Sequence, residues 1–434
     1  MKKKIRFISI ILLSILCLTS CSKENENPEV KALKASVIPI STVEAGNGFE
    51  DLMPLKDILK DKKIVAMGEA THGTSEFFKM KHRFFEFLVE EMGYRVFIME
   101  CDGGDGQVIN DYILKGEGNI DDSLGELYRT EEVKNMIKWM KEYNDDSSHK
   151  EKIKFYGMDN VNIVDTLPKL SYYLGKLDKE LQTKVEDTLN TIYRNDIKAL
   201  TNEQLDSILL NINEFKKDME NAKEKYLNNN LQNEYELAIW NLNLVSQCVE
   251  YRIEVNKSVD QMVQSVAAMN LRDKYMAANV KWIQEHESKS GNDKVMLWGH
   301  NLHVSSMDDF YKYMGKNLKE MYGDEYYSIG FEFSRGSFTV YDAMYTKSFT
   351  RSDIDINDSE YLAYKFDKTQ IPISFLDFNS ASKSKDISEM LSKNQTFNLI
   401  NAFYDESQKS FQYIPRNLFD GLIYIKETTP SKTQ

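Results

Sequence analysis

Four short apolar runs, each ending in an acidic residue or a histidine, stand out in the hydrophobic pattern of this chain. Helical patterns separate the first three runs, at residues 75–92 and again within 105–144. A short continuous apolar run is typical of a strand buried on both faces of a parallel sheet, and its alternation with helices predicts an α/β fold. The four runs are KKIVAMGE (62–69), RVFIMECD (95–102), IKFYGMD (153–159) and DKVMLWGH (293–300).

The middle of the chain has a different pattern. From residue 161 to residue 287, charged amphipathic helical patterns follow one another with no convincing strand. We therefore predict a parallel-type sheet core, flanked by helices and built from residues 45–160 and 288–434, with an α-helical insertion that caps the C-terminal edge of the sheet. The strand-like runs after the insertion are YYSIGFEF, SFTVYDA, IPISFLDF and GLIYIKE.

The first 44 residues indicate a targeting and anchoring segment. Residues 1–20 have a basic start and an apolar stretch too short to span a bilayer, which predicts a secretory signal peptide. The tetrapeptide LTSC resembles a bacterial lipobox, so we expect lipidation of Cys21, with residues 21–44 as a flexible polar tether. This places the protein in the cell envelope, anchored to a membrane on its periplasmic or outer face. The alternative is an ordinary cleaved signal with a chance cysteine.

Charge and cysteine content argue against a nucleic-acid-binding protein and against a disulfide-stabilised one. The chain of 434 residues has a net charge of −13, and removal of the signal would take away four basic residues and no acidic ones. That balance disfavours nucleic acid as a partner. Beyond Cys21 the chain has only Cys101 and Cys248, which are too few for a disulfide framework, so we expect two buried free thiols.

Polar residues end all four predicted strands. Ligands of open parallel sheets bind beyond the carboxyl ends of the strands, where loops and helix N-termini converge. These side chains are therefore expected to meet at one edge of the sheet, and three of the six histidines of the chain are among them. The set consists of Glu69 and His72, Glu100 and Asp102, Asp159, and His300 and His303.

His72 lies in a loop between the first strand and a helix that begins near residue 74. As a general base it would need a carboxylate to fix its tautomer, and Glu69 or Glu100 could provide one. Two plainer interpretations stay open at this point: His72 bonded to the backbone as a loop histidine, and Glu100 held in a salt bridge.

The pair His300 and His303 in GHNLH invites comparison with a zinc site, because paired histidines with acids can bind a metal. The HExxH signature is absent and a strand-end HxxH is a weak signal, so we predict no required metal or cofactor. One of the two histidines could instead pack against or cap the next helix. The glycines of GGDGQV lack dinucleotide-binding spacing, and no GxSxG elbow of a serine hydrolase occurs.

Basic residues on two predicted helices are further candidates. Lys81 and Arg83 in KMKHR could steady an oxyanion or bind a substrate, or they could form a solvated basic face. His82 beside them is expected to pack or to face solvent. Arg272 and Asp273, inside a long helical pattern, could form an interhelical ion pair or part of a pocket wall.

Six ordered motifs extend over most of the chain. They are MGEATHGTSEFFKMKHRFFEFLVEEMGYRVFIMECD, FYGMDN, RDKYMAANVKWI, LWGHNLHVS, SIGFEF and FDGLIYIKETTP. In order and spacing they resemble the erythromycin esterase family, from about residue 45 to residue 430 with the main break in the helical middle. The resemblance implies an α/β core with a helical portion over a deep cleft, and hydrolysis of an ester or macrolide lactone without an obligatory metal.

By motif position, the resemblance also implies catalytic roles for Glu69, His72, Glu100 and His300. His72 would activate water, Glu69 and Glu100 would orient His72 or the water, and His300 would act as an acid or stabilise the tetrahedral intermediate. Some macrolide-hydrolysing members have an arginine at the position of Lys81, and lysine cannot offer the same bidentate fork. The residues expected to bind substrate are His303, Lys81, Arg83, Asp102 and Asp159.

The predicted function is hydrolysis of a bulky, hydroxyl-rich small-molecule ester or lactone, with a contribution to antibiotic resistance if that molecule is a macrolide. Two alternatives stay open on the sequence. One is a metal-dependent hydrolase that uses the same histidines. The other is a non-catalytic surface lipoprotein that binds a ligand in the same cleft.

Overall fold

A computed structural model provides the structure of this protein. The predicted signal peptide and Cys21 lie outside the residues that it describes. No helix within its described residues combines the length and apolar character needed to cross a membrane. The described residues are 27–194, 196–257, 266–309, 311–342, 348–400 and 409–433.

The elements alternate between strands and helices, as predicted, outside the helical middle. The strands are β1 (Ile38–Pro39), β2 (Ile64–Met67), β3 (Val96–Asp102), β4 (Lys154–Asp159), β5 (Val295–Trp298), β6 (Tyr326–Asp342), β7 (Ser348–Asp355), β8 (Ile373–Asp377), β9 (Gln395–Asn398), β10 (Ser410–Tyr413) and β11 (Gly421–Thr428). The helices up to the fifth strand are α1 (Pro28–Ser36), α2 (Leu55–Leu59), α3 (Ser75–Met92), α4 (Gly103–Lys115), α5 (Ile120–Ser123), α6 (Glu131–Asp145), α7 (Thr166–Leu177), α8 (Lys179–Arg194), α9 (Asn202–Asn221), α10 (Lys223–Asn228), α11 (Gln232–Asn256) and α12 (Val266–Ser288). The later helices are α13 (Asn301–Val304), α14 (Met314–Tyr322), α15 (Leu362–Lys368), α16 (Phe378–Ala381), α17 (Lys385–Met390) and α18 (Pro415–Leu418), and two short 3-10 helices span Ile197–Ala199 and Gly323–Glu325.

Nine of the described strands form one sheet, in which eight follow the order β1-β8-β11-β6-β2-β5-β3-β4 and β7 pairs with β6. The neighbours from β11 to β4 are all parallel, whereas β8, β1 and β7 pair in antiparallel fashion. The four apolar runs that end in an acidic residue or a histidine are confirmed as strands β2, β3, β4 and β5, and β2 and β5 are buried at every position. This is the mixed, mostly parallel α/β sheet with flanking helices that the hydrophobic pattern predicts.

Strand β6 is longer than predicted. The run YYSIGFEF and the described part of SFTVYDA, which the sequence pattern separates, form one continuous strand of 17 residues that ends at Asp342. Its first half lies inside the parallel sheet beside β2, and its second half pairs with β7 from Arg335 to Asp342. The β6–β7 hairpin therefore extends past the carboxyl ends of the central strands, on the side where a ligand site is expected.

The predicted helical insertion divides into two parts. Described residues of α7 to α11 form a hydrophobic cluster of their own, with Leu174, Ile212 and Val245 among its buried members. In contrast, Met276 and Val280 of α12 belong to the main core. Helix α12 thus packs on the sheet as the connection that returns to β5, and it is the part of the insertion that reaches the site described below.

The predicted tether is wrong where the structure describes it. Asn27 accepts a hydrogen bond from the Glu29 backbone N–H at 2.9 Å and caps α1, which has proline at its first position. Leu33 of this helix is fully buried, and Ile38 of β1 pairs with Phe375 of β8. Residues 28–39 are therefore part of the folded structure and not a flexible tether. A capped helix with one apolar face directly follows the polar run in the sequence.

Candidate active site

A cavity of about 770 Å³ opens at the carboxyl ends of β2, β3, β4 and β5. This volume lies within the range of small-molecule sites, roughly 300–1,000 Å³. The structure therefore brings together the polar strand-end residues that the sequence places at one edge. The polar lining includes His72, Glu100, Asp102, Asp159, Arg272, His300 and His303, and the aromatic lining includes Tyr128, Tyr311, Tyr313, Tyr341 and Phe349.

The GEATHGT turn, residues 68–74, connects β2 to α3 and positions His72. The Gly73 carbonyl accepts hydrogen bonds from the backbone N–H groups of Thr339 on β6, at 2.9 Å, and Ser431 in the C-terminal segment, at 2.8 Å. A Cβ atom at Gly73 would lie 1.9 Å from the Thr339 carbonyl oxygen, so only glycine fits. The side chain of Thr74 makes no cap bond to α3 and instead contacts the Thr71 hydroxyl at 2.8 Å.

His72 forms a hydrogen-bonded pair with Glu69. Its Nδ1 lies 2.7 Å from Glu69 Oε1, so the proton is on Nδ1 and is donated to the carboxylate, which leaves Nε2 for the cavity. The His72 side chain is 12% exposed and that of Glu69 is 0% exposed. This geometry excludes the interpretation of His72 as a loop histidine bonded to backbone. Glu69 itself does not line the cavity, and His72 lies between it and the cavity.

The second oxygen of Glu69 has two donors of its own. Lys81 Nζ lies 2.5 Å from Oε2, and Trp298 Nε1 donates to the same oxygen at 2.8 Å. The Lys81 ammonium also lies 4.1 Å from the centre of the Trp298 ring. Burial would raise the pKa of Glu69, but Lys81 and His72 outweigh it and hold that pKa below its ordinary value. The pKa of Lys81 is lowered by burial to about 8, although Glu69 opposes the shift.

Tyr128 is a site residue that the sequence pattern did not reveal. Its hydroxyl donates to Glu69 Oε1 at 3.1 Å and lies 3.2 Å from His72 Nδ1, and the residue lines the cavity. It comes from the segment between α5 and α6, where no strand end or repeated spacing marks it. A buried tyrosine hydroxyl needs a polar partner, but the sequence does not show which one.

Glu100 and Asp159 share one arginine. Arg272 of α12 donates to Asp159 through Nε and Nη2, the latter at 2.6 Å, and through Nη2 to Glu100 Oε1 at 3.1 Å. The other oxygen of Glu100 accepts the His300 backbone N–H at 2.8 Å. Burial would raise the pKa of Glu100, but His303, Arg272 and His72 outweigh it and the pKa falls well below its usual range. Glu100 is thus salt-bridged, which was one of the two interpretations left open, and still lines the cavity.

The two histidines of GHNLH differ in their surroundings. His300 Nδ1 accepts the Leu302 backbone N–H at 3.3 Å, and its Nε2 lies 3.3 Å from the Ile400 carbonyl oxygen, so both ring nitrogens have protein partners. The His300 ring lies 4.9 Å from the His72 ring, and burial together with His72 lowers the pKa of His300 to about 3. His303 Nδ1 instead lies 2.8 Å from the Asp273 carboxylate.

The two basic residues predicted to bind substrate do not line the cavity. Arg83 is 0% exposed, and its guanidinium binds Asp51 at 2.6 Å and the backbone carbonyls of Thr42 and Gly48. Lys81 is 0% exposed and binds Glu69. The substrate-contact prediction is wrong for both. Lys81 and Arg83 are two positions apart on α3, and each position rotates the side chain by about 100° around the helix axis. The two side chains therefore lie on nearly opposite sides of the helix and cannot share one site.

Asp102 lines the cavity together with a neighbouring acid. Its Oδ1 accepts the Asn162 backbone N–H at 2.8 Å, and burial, followed by the charges of Asp159 and Asp105, raises its pKa well above the usual range. Burial and Asp165 raise the pKa of Asp105 to about 8. These carboxyl groups therefore keep protons that ordinary aspartates lose, and this side of the cavity carries less negative charge than its composition indicates.

No group of three or more histidine, cysteine or acidic side chains in the described part of the chain is arranged to hold a metal ion. The ring nitrogens of His300 and His303 contact protein groups instead. Cys101 and Cys248 are free and buried, as expected.

The fold and the site together define a class of protein: an α/β protein with carboxylate-paired histidines at the carboxyl edge of its sheet. A family model described as erythromycin esterase matches residues 89–428. The chain belongs to the erythromycin esterase family of hydrolases.

Relatives agree with this assignment. The chain is 27% identical over 322 residues to erythromycin esterase type II of Escherichia coli, covering 69% of this chain and 75% of that protein. It is also 27% identical over 423 residues to the putative hydrolase YbfO of Bacillus subtilis strain 168, covering 91% of this chain and 89% of the relative.

Solved structures are also similar to this chain. A succinoglycan biosynthesis protein matches with a TM-score of 0.82 at 27% identity, over 94% of this chain and 99% of that one. A histidine-to-asparagine mutant of the erythromycin esterase EreC, in its open conformation, matches with a TM-score of 0.65 at 14% identity, over 88% of this chain and 94% of that one. The EreC likeness concerns the fold alone.

Proposed function

We propose that this protein hydrolyses a small-molecule ester or macrolide lactone by direct attack of a water molecule that His72 activates. The observation that carries the proposal is the Glu69–His72 pair, in which a fully buried carboxylate bonds Nδ1 at 2.7 Å beside the cavity. With Nδ1 occupied, Nε2 is the nitrogen that can take a proton from water. Water then adds to the acyl carbon, and collapse of the tetrahedral intermediate releases an acid and an alcohol.

Glu69 and Glu100 supply the charge that this step needs. His72 becomes an imidazolium when it takes the proton, and two carboxylates with lowered pKa values stay ionised beside it. Glu69 bonds the ring directly, and the charge of His72 is among those that act on Glu100. A histidine that gains a proton next to a fixed carboxylate is stabilised as it forms, which lowers the barrier to proton transfer.

The cavity wall supports a bulky substrate with both apolar and hydroxyl groups. Tyr341 and Phe349, paired across the β6–β7 hairpin, line it with ring centres 5.5 Å apart, and Tyr311 and Tyr313 line it as well. Aromatic side chains of this kind offer apolar area, and tyrosine adds a polar end. We propose a macrolide as one such substrate, so that hydrolysis would contribute to antibiotic resistance.

An ester panel tests the proposed reaction. The full chain, purified in detergent, is incubated with aryl esters, alkyl esters and macrolide lactones, and products are identified by mass. We expect at least one lactone to gain the mass of one water, or at least one ester to give its separate acid and alcohol, with the rate unchanged after treatment with a chelator. No hydrolysis of any ester would contradict the proposal. Stoichiometric zinc whose removal abolishes activity would contradict the metal-independent mechanism.

We also propose that the protein is held at the cell envelope by a lipid on Cys21. The support is the sequence alone: a basic and apolar stretch followed by LTSC. In a bacterial host, the wild-type chain is expected in the membrane fraction and the Cys21→Ser variant in the soluble fraction. Equal membrane association of both chains would contradict the anchor.

A further inference from the structure

A second carboxylate–histidine pair shares the cavity with Glu69 and His72. His303 Nδ1 lies 2.8 Å from Asp273 Oδ1, and Asp273 is 1% exposed. The same carboxylate oxygen accepts the Met314 backbone N–H at 2.8 Å, which fixes its position from a second element. Since Nδ1 is committed to Asp273, the nitrogen that His303 can present to a substrate is Nε2.

A positively charged group and a negatively charged group both lie near Nε2 of His303. Arg272 Nη1 lies 3.3 Å away and Glu100 Oε1 lies 3.4 Å away, and both contacts are long enough to be exchanged for a substrate oxygen. Besides Asp273, these are the charged groups among the described residues that face the ring, with the neutral His300 near it on the same strand-end turn. Burial lowers the pKa of His303, but Asp273 and Glu100 outweigh burial and Arg272, so the pKa is raised.

The contrast with His300 decides which of the two histidines can donate a proton. The ring nitrogens of His300 both face neutral backbone groups at 3.3 Å, and burial and His72 lower its pKa to about 3, so His300 is not an imidazolium near neutral pH. The ring of His303 instead lies between two carboxylates, with Asp273 2.8 Å from Nδ1 and Glu100 3.4 Å from Nε2, and the residue lines the cavity. The proton-donor role that sequence reasoning gave to His300 therefore fits His303 better.

We propose that Asp273 positions His303 as the proton donor to the leaving alcohol, and that the natural substrate is therefore an ester of an unactivated aliphatic alcohol. The inference rests on the proposed function. An aliphatic alkoxide is a poor leaving group and needs a proton as the bond breaks, whereas an aryl oxide leaves without one. An enzyme that acted only on activated esters would have no use for a second buried pair.

Two proton transfers complete the reaction. His72 Nε2 takes one proton from water while the water oxygen bonds the acyl carbon. When the tetrahedral intermediate collapses, the bond from carbon to the alkoxy oxygen breaks, its electron pair stays on that oxygen, and the oxygen takes the Nε2 proton of His303. His72 then holds one proton more and His303 one fewer than at the start, and exchange with solvent water restores both.

Two esters of one acid test the role of the pair. We compare kcat/KM on ethyl butyrate and on p-nitrophenyl butyrate for the wild-type chain and for Asp273→Asn, which keeps an acceptor for the Met314 N–H but removes the charge. We expect Asp273→Asn to lose on the order of 10²-fold on the ethyl ester and to change little on the aryl ester. His303→Gln should repeat this pattern. A uniform loss on both esters, or no loss, would overturn the proposal.

Asp377→Asn is the matched control for the cost of removing a buried carboxylate. Asp377 is 7% exposed and accepts hydrogen bonds from Tyr327 Oη at 2.6 Å and the Ser380 N–H at 2.7 Å, at the end of β8. We expect it to lower the stability of the fold without changing the ratio of the two rates. If Asp377→Asn shifted that ratio as Asp273→Asn does, the leaving-group effect would report general damage and the proposal would fail.

An NMR titration separates this proposal from the proposed function. The imidazole signals of His303, assigned by their absence in His303→Gln, should titrate at lower pH in Asp273→Asn than in the wild-type chain, since the carboxylate stabilises the imidazolium. An unchanged titration would overturn the pairing. If the wild-type chain hydrolysed no ester but the titration moved as expected, the proposed function would fail while the Asp273–His303 pair stood.

Discussion

Two glutamates on neighbouring strands are equally buried, but their pKa values are shifted in opposite directions. Glu69 follows β2 and Glu332 lies in β6, the strand beside it, and both are 0% exposed. Glu69 has a lowered pKa, whereas burial raises the pKa of Glu332 to about 8. At neutral pH the first is a carboxylate and the second keeps its proton.

The difference comes from the partners. Lys81 and His72 bring positive charge to Glu69, in addition to neutral donors. The donors that lower the pKa of Glu332 are neutral: the backbone N–H of Asn398 at 3.0 Å, the Asn398 amide at 2.7 Å and the backbone of Phe333 together lower the pKa less than burial raises it. Burial alone therefore does not mark a catalytic carboxylate. The cation held against Glu69 keeps it ionised, and only an ionised group can stabilise a histidine that gains a proton.

The largest expected effect is on activity. Glu69→Gln should lower kcat/KM by about 10²–10⁴-fold, because His72 loses the charge that stabilises its protonated form. Glu332→Gln should leave kcat/KM nearly unchanged, since Glu332 is already neutral. Steady-state kinetics on the best ester of the panel measures both. Similar losses in the two variants would show that burial, and not ionisation, matters at Glu69.

Removal of the cation should destabilise the fold. Lys81→Met leaves the Glu69 carboxylate buried without its cation, which should lower the free energy of unfolding by about 3–5 kcal/mol in urea titrations. The double variant Lys81→Met with Glu69→Gln should recover much of this loss, because no uncompensated charge remains. Additive losses in the double variant would contradict a charge pair.

The neutral glutamate should make stability depend on pH. An acid whose pKa is higher in the folded protein than in the unfolded chain stabilises the fold below its ordinary pKa, and this contribution is lost as pH rises to about 8. The free energy of unfolding of Glu332→Gln, relative to that of the wild-type protein, should therefore rise by about 1–3 kcal/mol from pH 5 to pH 9 in thermal unfolding experiments. A difference that does not change with pH would argue that Glu332 is ionised in the fold.

The smallest effect is expected at Tyr128. Tyr128→Phe removes one neutral donor to Glu69 and leaves Lys81, Trp298 and His72 in place. Loss of one such hydrogen bond costs about 0.5–1.5 kcal/mol, so activity should fall by no more than about tenfold. A loss as large as that of Glu69→Gln would mean that the hydroxyl contacts the reacting substrate directly.

The main residues of the site could be predicted from the sequence because they follow local rules. The strand ends of a parallel sheet converge, which is enough to expect His72, Glu100 and the GHNLH histidines at one edge. The sheet itself followed from apolar runs, whereas the continuity of β6 did not, since the hydrophobic pattern is interrupted near Arg335 and Gly336. Helix α1 was not predicted because its cap and apolar face follow directly on a polar run.

The partners of these residues could not be predicted in the same way. Asp273 was singled out as an ion-pair or pocket-wall residue, but its partner His303 was not predicted, and Tyr128 meets the site through tertiary packing from an irregular segment. Trp298 ends the apolar run VMLW, where its ring indicates only a core position and not the N–H bond to Glu69. Lys81 was predicted as a residue of the site, but in contact with substrate, whereas it binds Glu69. Spacing along a helix does not show whether a side chain faces a cavity or the carboxylate behind it.

The most direct test of water activation is the rate of His72→Asn on the ester that the wild-type chain hydrolyses best. Asparagine can keep a hydrogen bond to Glu69 but cannot take a proton from water. We expect kcat/KM to fall by about 10²–10⁴-fold while the urea unfolding midpoint stays close to that of the wild-type protein. A His72→Asn protein that kept the wild-type rate would contradict water activation by His72.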